Sequence, residues 1–470
     1  MAGMLAGIRL AEKGFKNIVI YEKANNVGGT WRDNTYPGLI CDVPSHHYTY
    51  SFARNPNWSR HYSSGKEIQD YFEEVAKEYQ LDQFIEFNQE VSKAEFQSGQ
   101  WILELKQGKT DRVDILIPAT GVLHHPKYPD IEGFSNFNGK LFHSSRWDHS
   151  IDLSDKKVGV IGNGSSGVQI VSALGGKCNH LYHFQRTAQW MMPLENGFFT
   201  KQNQQAFRDP QVLDKAMQFK EYFEAVERYS EAILDMDSAG AQEMAKMCLN
   251  NLEDNVHDPK LKEALRPNHQ ALCKRLIWSS DYYPAVQQEN VSLITNAIQS
   301  IDEDGINLDK EHIDLDVIVF ATGYKVDSFM RPMKIIGSNN ITLDKFWSEY
   351  PIAYLSICMP HFPNLFMLNG PNGPVGNFSL IDIAEHQMHY IFQLLKPIAL
   401  GKFQSLHPSE EATYTYEKLR SEAAKKTVWF KGGCTSWYLN DLGIPASWPW
   451  TYSKFVDEMD KPNWEHFKTA

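Results

Sequence analysis

Three glycines, Gly162, Gly164 and Gly167, stand in the order GxGxxG between an apolar run, VGVI at 158–161, and a helix-like stretch, VQIVSAL. A second strand-like run, HLYHFQR, follows and ends at Arg186. Glycine backbone can pass close to a pyrophosphate. The helix that opens at Ser165 and Ser166 offers unpaired N–H groups and a positive dipole end. The motif alone is weak; inside strand, turn, helix and strand within about 30 residues it points to dinucleotide binding, with an ordinary glycine turn as the alternative. The front of the chain repeats the register. Gly3 leads a helix-like MLAGIRLAEKG and a strand-like NIVIYE ending at Glu22, and the interval from Gly3 to Glu22 equals that from Gly167 to Arg186. Gly3 therefore reads as the third glycine of a second such turn, whose first strand and first two glycines would lie ahead of Met1. The residues at the matched ends differ in chemistry. A carboxylate accepts from ribose hydroxyls, whereas an arginine pairs bidentately with a 2′-phosphate. The first unit reads as FAD-binding through Glu22 and the second as NADP-binding through Arg186, aided by the Thr187 hydroxyl. The alternative for Arg186 is a solvated strand-end cation.

These residues need a scaffold of parallel strands and crossover helices. An apolar run followed by ATG occurs twice, in DILIPATG (114–121) and DVIVFATG (316–323), as returning strands that close each nucleotide-binding sheet. PNLFMLNGP (363–371) reads as a strand running into a turn, and GPNGPVGN (370–377) can bring backbone N–H groups to a flavin edge. The expected fold is α/β, with two Rossmann-like dinucleotide-binding domains, for FAD and NADP, a helical insertion, and the first strand of the FAD domain missing. The expected division is 1–150 for the first part of the FAD domain and 151–330 for the NADP domain, with the insertion at about 195–270. Residues 331–470 complete the FAD domain and carry a substrate and control loop. The insertion is expected from apolar residues at helical spacing, as a lid or packing element.

Composition narrows the rest. A chain of 470 residues suggests about three domains at ~150 residues each. With 42% hydrophobic and 22% charged residues it is a packed globular chain, not a disordered one. A net charge of −12 argues against a general nucleic-acid binder. The six cysteines are in no CxxC pair and are too sparse for a disulfide framework, so a reducing, cytoplasmic setting is expected. No secretory signal shows, and no apolar run reaches the ~18 residues of a membrane span. His386 and His389 do not form HExxH, and the pairs His46-His47 and His124-His125 would face opposite sides of a strand, so no metal site is expected.

Three stretches give the sequence a resemblance to class B flavoprotein monooxygenases of the Baeyer–Villiger type. Phe137-x-Gly139-x-x-x-His143-x-x-x-Trp147-Asp148 resembles the fingerprint of that group, and Gly29-x-Trp31-x-x-x-x-Tyr36-Pro37-Gly38-x-x-x-Asp42 resembles its second signature. Cys273-Lys274-Arg275, followed by DYYPAVQQENV, is similar to the segment that holds the family's active-site arginine. The resemblance spans nearly the whole chain and implies FAD and NADPH as cofactors. It implies a C4a-peroxyflavin that inserts one atom of O2 into a ketone, giving an ester or lactone. It also implies roles. Arg275 stabilises negative charge, Asp42 pairs with it and holds it, and Lys274 supports the NADP 2′-phosphate. His143 and Trp147 couple domain position to catalysis, with an interdomain packing cluster as the rival reading. Gly29, Thr30 and Trp31 would lie along FAD, although core packing serves Trp31 as well. Trp437 resembles a loop tryptophan that closes over the nicotinamide nucleotide. Four tryptophans, at 429, 437, 448 and 450, suit either an aromatic wall over a pocket or plain packing.

Three alternatives accompany this reading. One is N- or S-oxygenation by the same chemistry, against which Trp147-Asp148 and Arg275 weigh. Another is a flavin disulfide reductase, which needs a redox cysteine pair that the spacing does not show. The third is an inactive fragment that lacks the FAD pyrophosphate turn. The natural ketone and the oligomeric state are not legible in the sequence.

Overall fold

A computed structural model describes residues 1–376 and 378–470. Asn377, the last residue of the GPNGPVGN turn expected at the flavin edge, lies outside the described residues.

Parallel strands cannot be joined by tight turns, so their connections must cross a face of the sheet. That rule shapes the second unit. Its five-stranded sheet runs Val291–Ile294, His180–Phe184, Lys157–Ile161, Val317–Phe320, Lys140–His143, and each neighbouring pair is parallel. Val158, Val160 and all four residues of Val317–Phe320 are buried, as apolar runs covered on both faces should be. The helix Ser165–Leu174 covers one face and contributes Val168, Ile170, Val171 and Leu174 to the core. Lys140–His143 precedes the boundary expected at residue 150. Its register with Val317–Phe320, Lys140 opposite Val317 and His143 opposite Phe320, nonetheless makes it an edge of this sheet.

The first unit is less regular than the sequence suggests. Helix Ala2–Glu12 lies against Ile20, but only Ile20–Glu22 of NIVIYE is a strand, paired in parallel with Ile85–Phe87. DILIPATG is not a regular strand either. Its backbone bonds residues 364–368 on one side (Leu116 N–H to Asn364 O at 3.0 Å, Leu368 N–H to Pro118 O at 3.1 Å). It also lines a cavity of about 1240 Å³, as do residues 15–22. Extended backbone becomes a strand by pairing. DVIVFATG has partners on both sides and forms Val317–Phe320; DILIPATG has one and does not.

The C-terminal third returns to this unit. Helix Leu380–Ala399 packs Ile381, Ala384, Ile391 and Leu394 into one core with Met4, Leu5 and Ile8. The segments on either side of the second unit therefore share a core. The helical insertion appears as Lys201–Ala206, Pro210–Met217, Phe219–Leu234, Ala239–Asn255 and Pro259–Ala264. It docks on the first unit: His47 bonds Met217 O at 2.8 Å and stacks on Tyr222 at 3.6 Å, and Asn196 exchanges bonds with the Tyr62 backbone. His46 and His47 thus sit in a short 3-10 turn, Ser45–His47, rather than on a strand. Among the described residues no helix is long and apolar enough to cross a membrane.

Candidate active site

The glycine turn follows the carboxyl end of Lys157–Ile161. Gly162 has φ +107°, and a Cβ there would meet Ala321 O at 2.4 Å; a Cβ on Gly167 would lie 1.9 Å from Gly162 O. Only glycine fits at either place. Gly164 caps the helix Ser165–Leu174 with no side chain bonded to the helix end and nothing within 4 Å of its missing Cβ, so the N–H groups of the first turn face open space. Asn163 fastens the turn to the next strand by bonding Gln185 Oε1 at 3.1 Å and Thr187 O at 2.8 Å. Arg186, exposed, and Lys274 lie close enough to interact. Burial, and then the charge of Arg186, lower the Lys274 ammonium below its ordinary value. Neither cation has an ion-pair partner among the described residues. Two unpaired cations beside an open helix end are what a phosphomonoester and a pyrophosphate require, so the residues fit NADP.

The second signature docks the first unit onto this same helix. Ser166 Oγ donates to Tyr36 Oη at 3.0 Å, and Tyr36 Oη donates to Gln169 Oε1 at 3.1 Å. A Cβ on Gly38, which has φ +82°, would come within 2.4 Å of Gln169 O. The fingerprint reaches the junction from the other side. His143 is fully buried and accepts from Ser145 N–H at Nδ1 (3.1 Å), so Nε2 carries the proton and donates to Gly323 O at 3.0 Å. Burial lowers its pKa and keeps the ring neutral. The next residue, Tyr324, donates to Asn34 Oδ1 at 2.6 Å and so reaches the second signature. A Cβ on Gly139 would lie 2.5 Å from Asp316 O and from the Phe137 ring. Trp147 packs edge-on against Phe142, and Asp148 is half-buried and accepts from Ser150. Neither is among the contacts of Arg275.

Arg275 lies where the first unit, the insertion and the C-terminal loop meet. Its Nε donates to Asp42 Oδ2 at 2.8 Å, Nη2 pairs with the same oxygen at 2.7 Å, and Nη1 donates to Gly376 O at 2.5 Å. Burial alone would raise the Asp42 carboxyl, but the charge and hydrogen bond of Arg275 overturn this and hold it below its ordinary value. Burial likewise opposes the guanidinium charge, and Asp42 outweighs it. A guanidinium has five N–H groups, so this anchoring leaves donors on Nη1 and Nη2 for another acceptor. Both side chains remain about a quarter exposed, at 26% and 25%.

Glu22, Gly3, Gly29 and Thr30 all line the 1240 Å³ cavity, so four residues expected to hold FAD share one space. Glu22 Oε1 accepts from Ala24 N–H at 2.9 Å and faces Arg32 at 3.5 Å. Gly29, with φ +55°, is open beyond its backbone. A carboxylate at the strand end above glycine backbone fits the adenosine ribose of FAD. Trp31 is not among the residues lining this space; it packs against the core of the first unit, with Nε1 donating to Tyr48 Oη at 3.1 Å. Trp437 is 40% exposed and stacks on Tyr438 at 4.2 Å, which stacks on buried Trp429 at 4.8 Å. Trp448 and Trp450 instead pack together, Trp448 also against Phe455 and Trp450 against Tyr416.

The cysteine expectation is corrected. Cys273 and Cys434 form a disulfide across 161 residues of sequence, and Cys41, Cys178, Cys248 and Cys358 are free and buried. Spacing along the chain cannot reveal a pair that only the fold brings together. Sequence reasoning also missed half-buried Tyr229, buried Tyr438 and His269; burial raises the pKa of both phenols, and the Arg275 charge opposes it. Both ring nitrogens of His269 are buried without a partner, and burial, then Lys274, lower its pKa to about 4. Tyr438 was in view beside Trp437; nothing local marked the other two.

The comparisons with known proteins agree with this geometry. A family described as pyridine nucleotide-disulphide oxidoreductase matches residues 1–193, which end before both paired cysteines. A Baeyer-Villiger monooxygenase from Streptomyces coelicolor is 35% identical over 466 residues, 97% of this chain and 88% of that protein. An uncharacterized monooxygenase from Mycobacterium tuberculosis is 43% identical over 93% of this chain and 87% of its own. The fold superposes on OTEMO in complex with FAD and NADP at a TM-score of 0.88 and 25% identity, covering 100% of this chain and 97% of that one. It superposes on a steroid monooxygenase bound to NADP with the same score and coverage at 26% identity. A fold of two nucleotide units, with an arginine held by a carboxylate of the first unit, defines a class B flavin monooxygenase. Within that class the chain belongs to the Baeyer–Villiger monooxygenase family, whose members are FAD- and NADPH-dependent enzymes.

Proposed function

We propose that this chain inserts one oxygen atom of O2 beside the carbonyl of a ketone, at the expense of NADPH, and yields an ester or lactone. The carrying observation is Arg275, fixed on two sides by Asp42 and Gly376 O with N–H groups to spare. Bound FAD supplies the redox chemistry, accepting the hydride of NADPH and activating O2. The chain's own residues position and hold charge. Arg275 donates to the ketone oxygen as it becomes an oxyanion, a task for a preorganised donor. Asp42 stays ionised and fixes the plane of the guanidinium. Lys274 and Arg186 hold the 2′-phosphate of NADP, with Thr187 beside them, and the N–H groups that open the helix at Ser165 and Ser166 meet the pyrophosphate. Gly3, Glu22, Gly29 and Thr30 hold FAD at its adenosine side. Trp437 covers the nicotinamide nucleotide. Phe137, Gly139, His143, Trp147 and Asp148 form the joint that sets one nucleotide unit against the other. The domain division follows: residues before and after the NADP unit together form the FAD unit. We place the protein in the cytoplasm, where NADPH is supplied.

The test is product formation. Purified protein with FAD, NADPH and a panel of linear, cyclic, aryl and steroidal ketones should yield a product one oxygen atom heavier. Arg275→Ala should lower the ester-forming rate by roughly 100- to 1000-fold. Oxygenation of a sulfide, which needs no carbonyl oxyanion, should survive in part. Equal survival of both activities would remove Arg275 from its role and favour heteroatom oxygenation.

A further inference from the structure

The Cys273–Cys434 bond joins two segments with separate duties. Cys273 is fully buried and directly precedes Lys274 and Arg275; Cys434 is half-buried and opens the loop that carries Trp437 and Tyr438. Cys41, Cys178, Cys248 and Cys358 are buried and free, so Cys434 is the one cysteine among the described residues that is partly exposed. In reducing compartments a lone disulfide is usually a sensing or transient one. We propose that this bond is a thiol-exchangeable clip, opened by a dithiol, that governs how the 432–444 loop closes over the nucleotide beside Arg275.

The coupling route is short. Tyr438 stacks between Trp437 and Trp429, and a Cβ on Gly376 would lie 2.6 Å from Tyr438 Oη. The loop therefore abuts the residue whose carbonyl anchors Arg275 Nη1. Without the disulfide the two segments keep the bond from Gln270 N–H to Gly432 O at 3.0 Å. A Cβ on Gly432 would meet Cys273 Cβ at 2.7 Å, so the backbones stay in close approach and the clip can close again. Asp42 still holds the other edge of Arg275 when the clip opens. The loop, and with it the nucleotide, responds more than the arginine does.

The exchange balances without any further oxidant. A thiolate of the dithiol attacks Cys434 Sγ, the S–S bond breaks, and Cys273 leaves as a thiolate that takes a proton. The second thiol of the dithiol then attacks the mixed disulfide and releases Cys434, and the dithiol departs as a cyclic disulfide. Two electrons and two protons pass from the dithiol to the protein.

The test uses the full chain prepared without reductant. Maleimide labelling in denaturant should count four thiols before dithiothreitol and six after. Protease should cut the 432–444 loop faster after reduction. These two arms do not depend on the monooxygenase reading. The third arm rests on it: reduction should weaken NADP+ binding in a direct titration by roughly five-fold or more. Cys434→Ser should bind as the reduced protein does and ignore dithiothreitol; Cys434→Ala stands in if the serine variant misfolds. Six thiols before reduction, unchanged loop cleavage, or unchanged NADP+ affinity in the reduced wild-type chain would each overturn the proposal. Failure of the chain to bind NADP+ at all would count against the functional reading, while the thiol count and the proteolysis still judge the clip.

Discussion

A methyl group at position 167 has nowhere to go, because it would lie 1.9 Å from a backbone carbonyl that neighbouring strands hold in place. Gly167→Ala should therefore cost about 1–3 kcal/mol of stability and displace the helix end that faces the nucleotide. Thermal denaturation and NADP+ titration of the variant check both effects. The cation pair gives a separable prediction. If Arg186 and Lys274 meet a 2′-phosphate, replacing either with Ala should weaken NADPH binding by about 1.5–3 kcal/mol, roughly 10- to 100-fold, and leave NADH binding nearly unchanged. Equal losses for the two coenzymes would return Arg186 to the role of a solvated strand-end cation. These positions were legible because their chemistry is local: glycine spacing and a strand-end charge carry their meaning within one βαβ unit. Asp42 with Arg275 came only through resemblance, since 233 residues separate the partners. The Cys273–Cys434 bond had no sequence signal at all.

Among elements, two runs ending in ATG look alike in sequence and differ in structure. Apolar pattern marks a segment as able to form a strand; the number of available partners decides whether it does. Val317–Phe320 is flanked by Lys157–Ile161 and Lys140–His143, whereas residues 115–119 and 17–19 both line an open cavity. Amide hydrogen exchange should thus be fast at 17–19 and on the cavity side of 115–119, and slow through 157–161 and 317–320. Exposed backbone edges are also templates for pairing between chains. The protein should self-associate with rising concentration, as light scattering would record. Similar protection in all four segments would show that the cavity closes in solution and would remove both expectations. The helical spacing of the insertion is legible in the sequence, but its docking is not, because its partners His46 and His47 sit in a 3-10 turn that no periodic pattern marks.

Over the whole molecule, buried neutral imidazoles and the Asp42–Arg275 ion pair are two of the links between its parts, and these two kinds of link fail in different pH windows. The insertion sits on the first unit through His46 and His47. Burial pushes both imidazoles down from 6.5 to about 4; His61 and the neighbouring histidine add to the shift at His46, and the Met217 carbonyl partly offsets it at His47. His46 packs against Phe199 and Phe207, and His47 against Tyr222, with the Arg54–Asp214 ion pair alongside. A histidine with a depressed folded pKa binds fewer protons folded than unfolded. Its contribution is therefore complete above about 6.5 and is lost as pH falls toward about 4. Asp42 has a depressed folded pKa as well, but as a carboxylate its contribution persists above 3.8 and fails only as pH falls below that. The insertion should loosen first. Between pH 6.5 and 4, protease should cut residues 200–234 progressively faster while the Arg275 site keeps its geometry. His47→Phe keeps a ring to stack on Tyr222 and cannot titrate, so it should flatten this dependence without abolishing it, since His46 remains. A cleavage profile that is flat down to pH 4 in the wild-type protein would mean that the insertion is held by its apolar contacts alone.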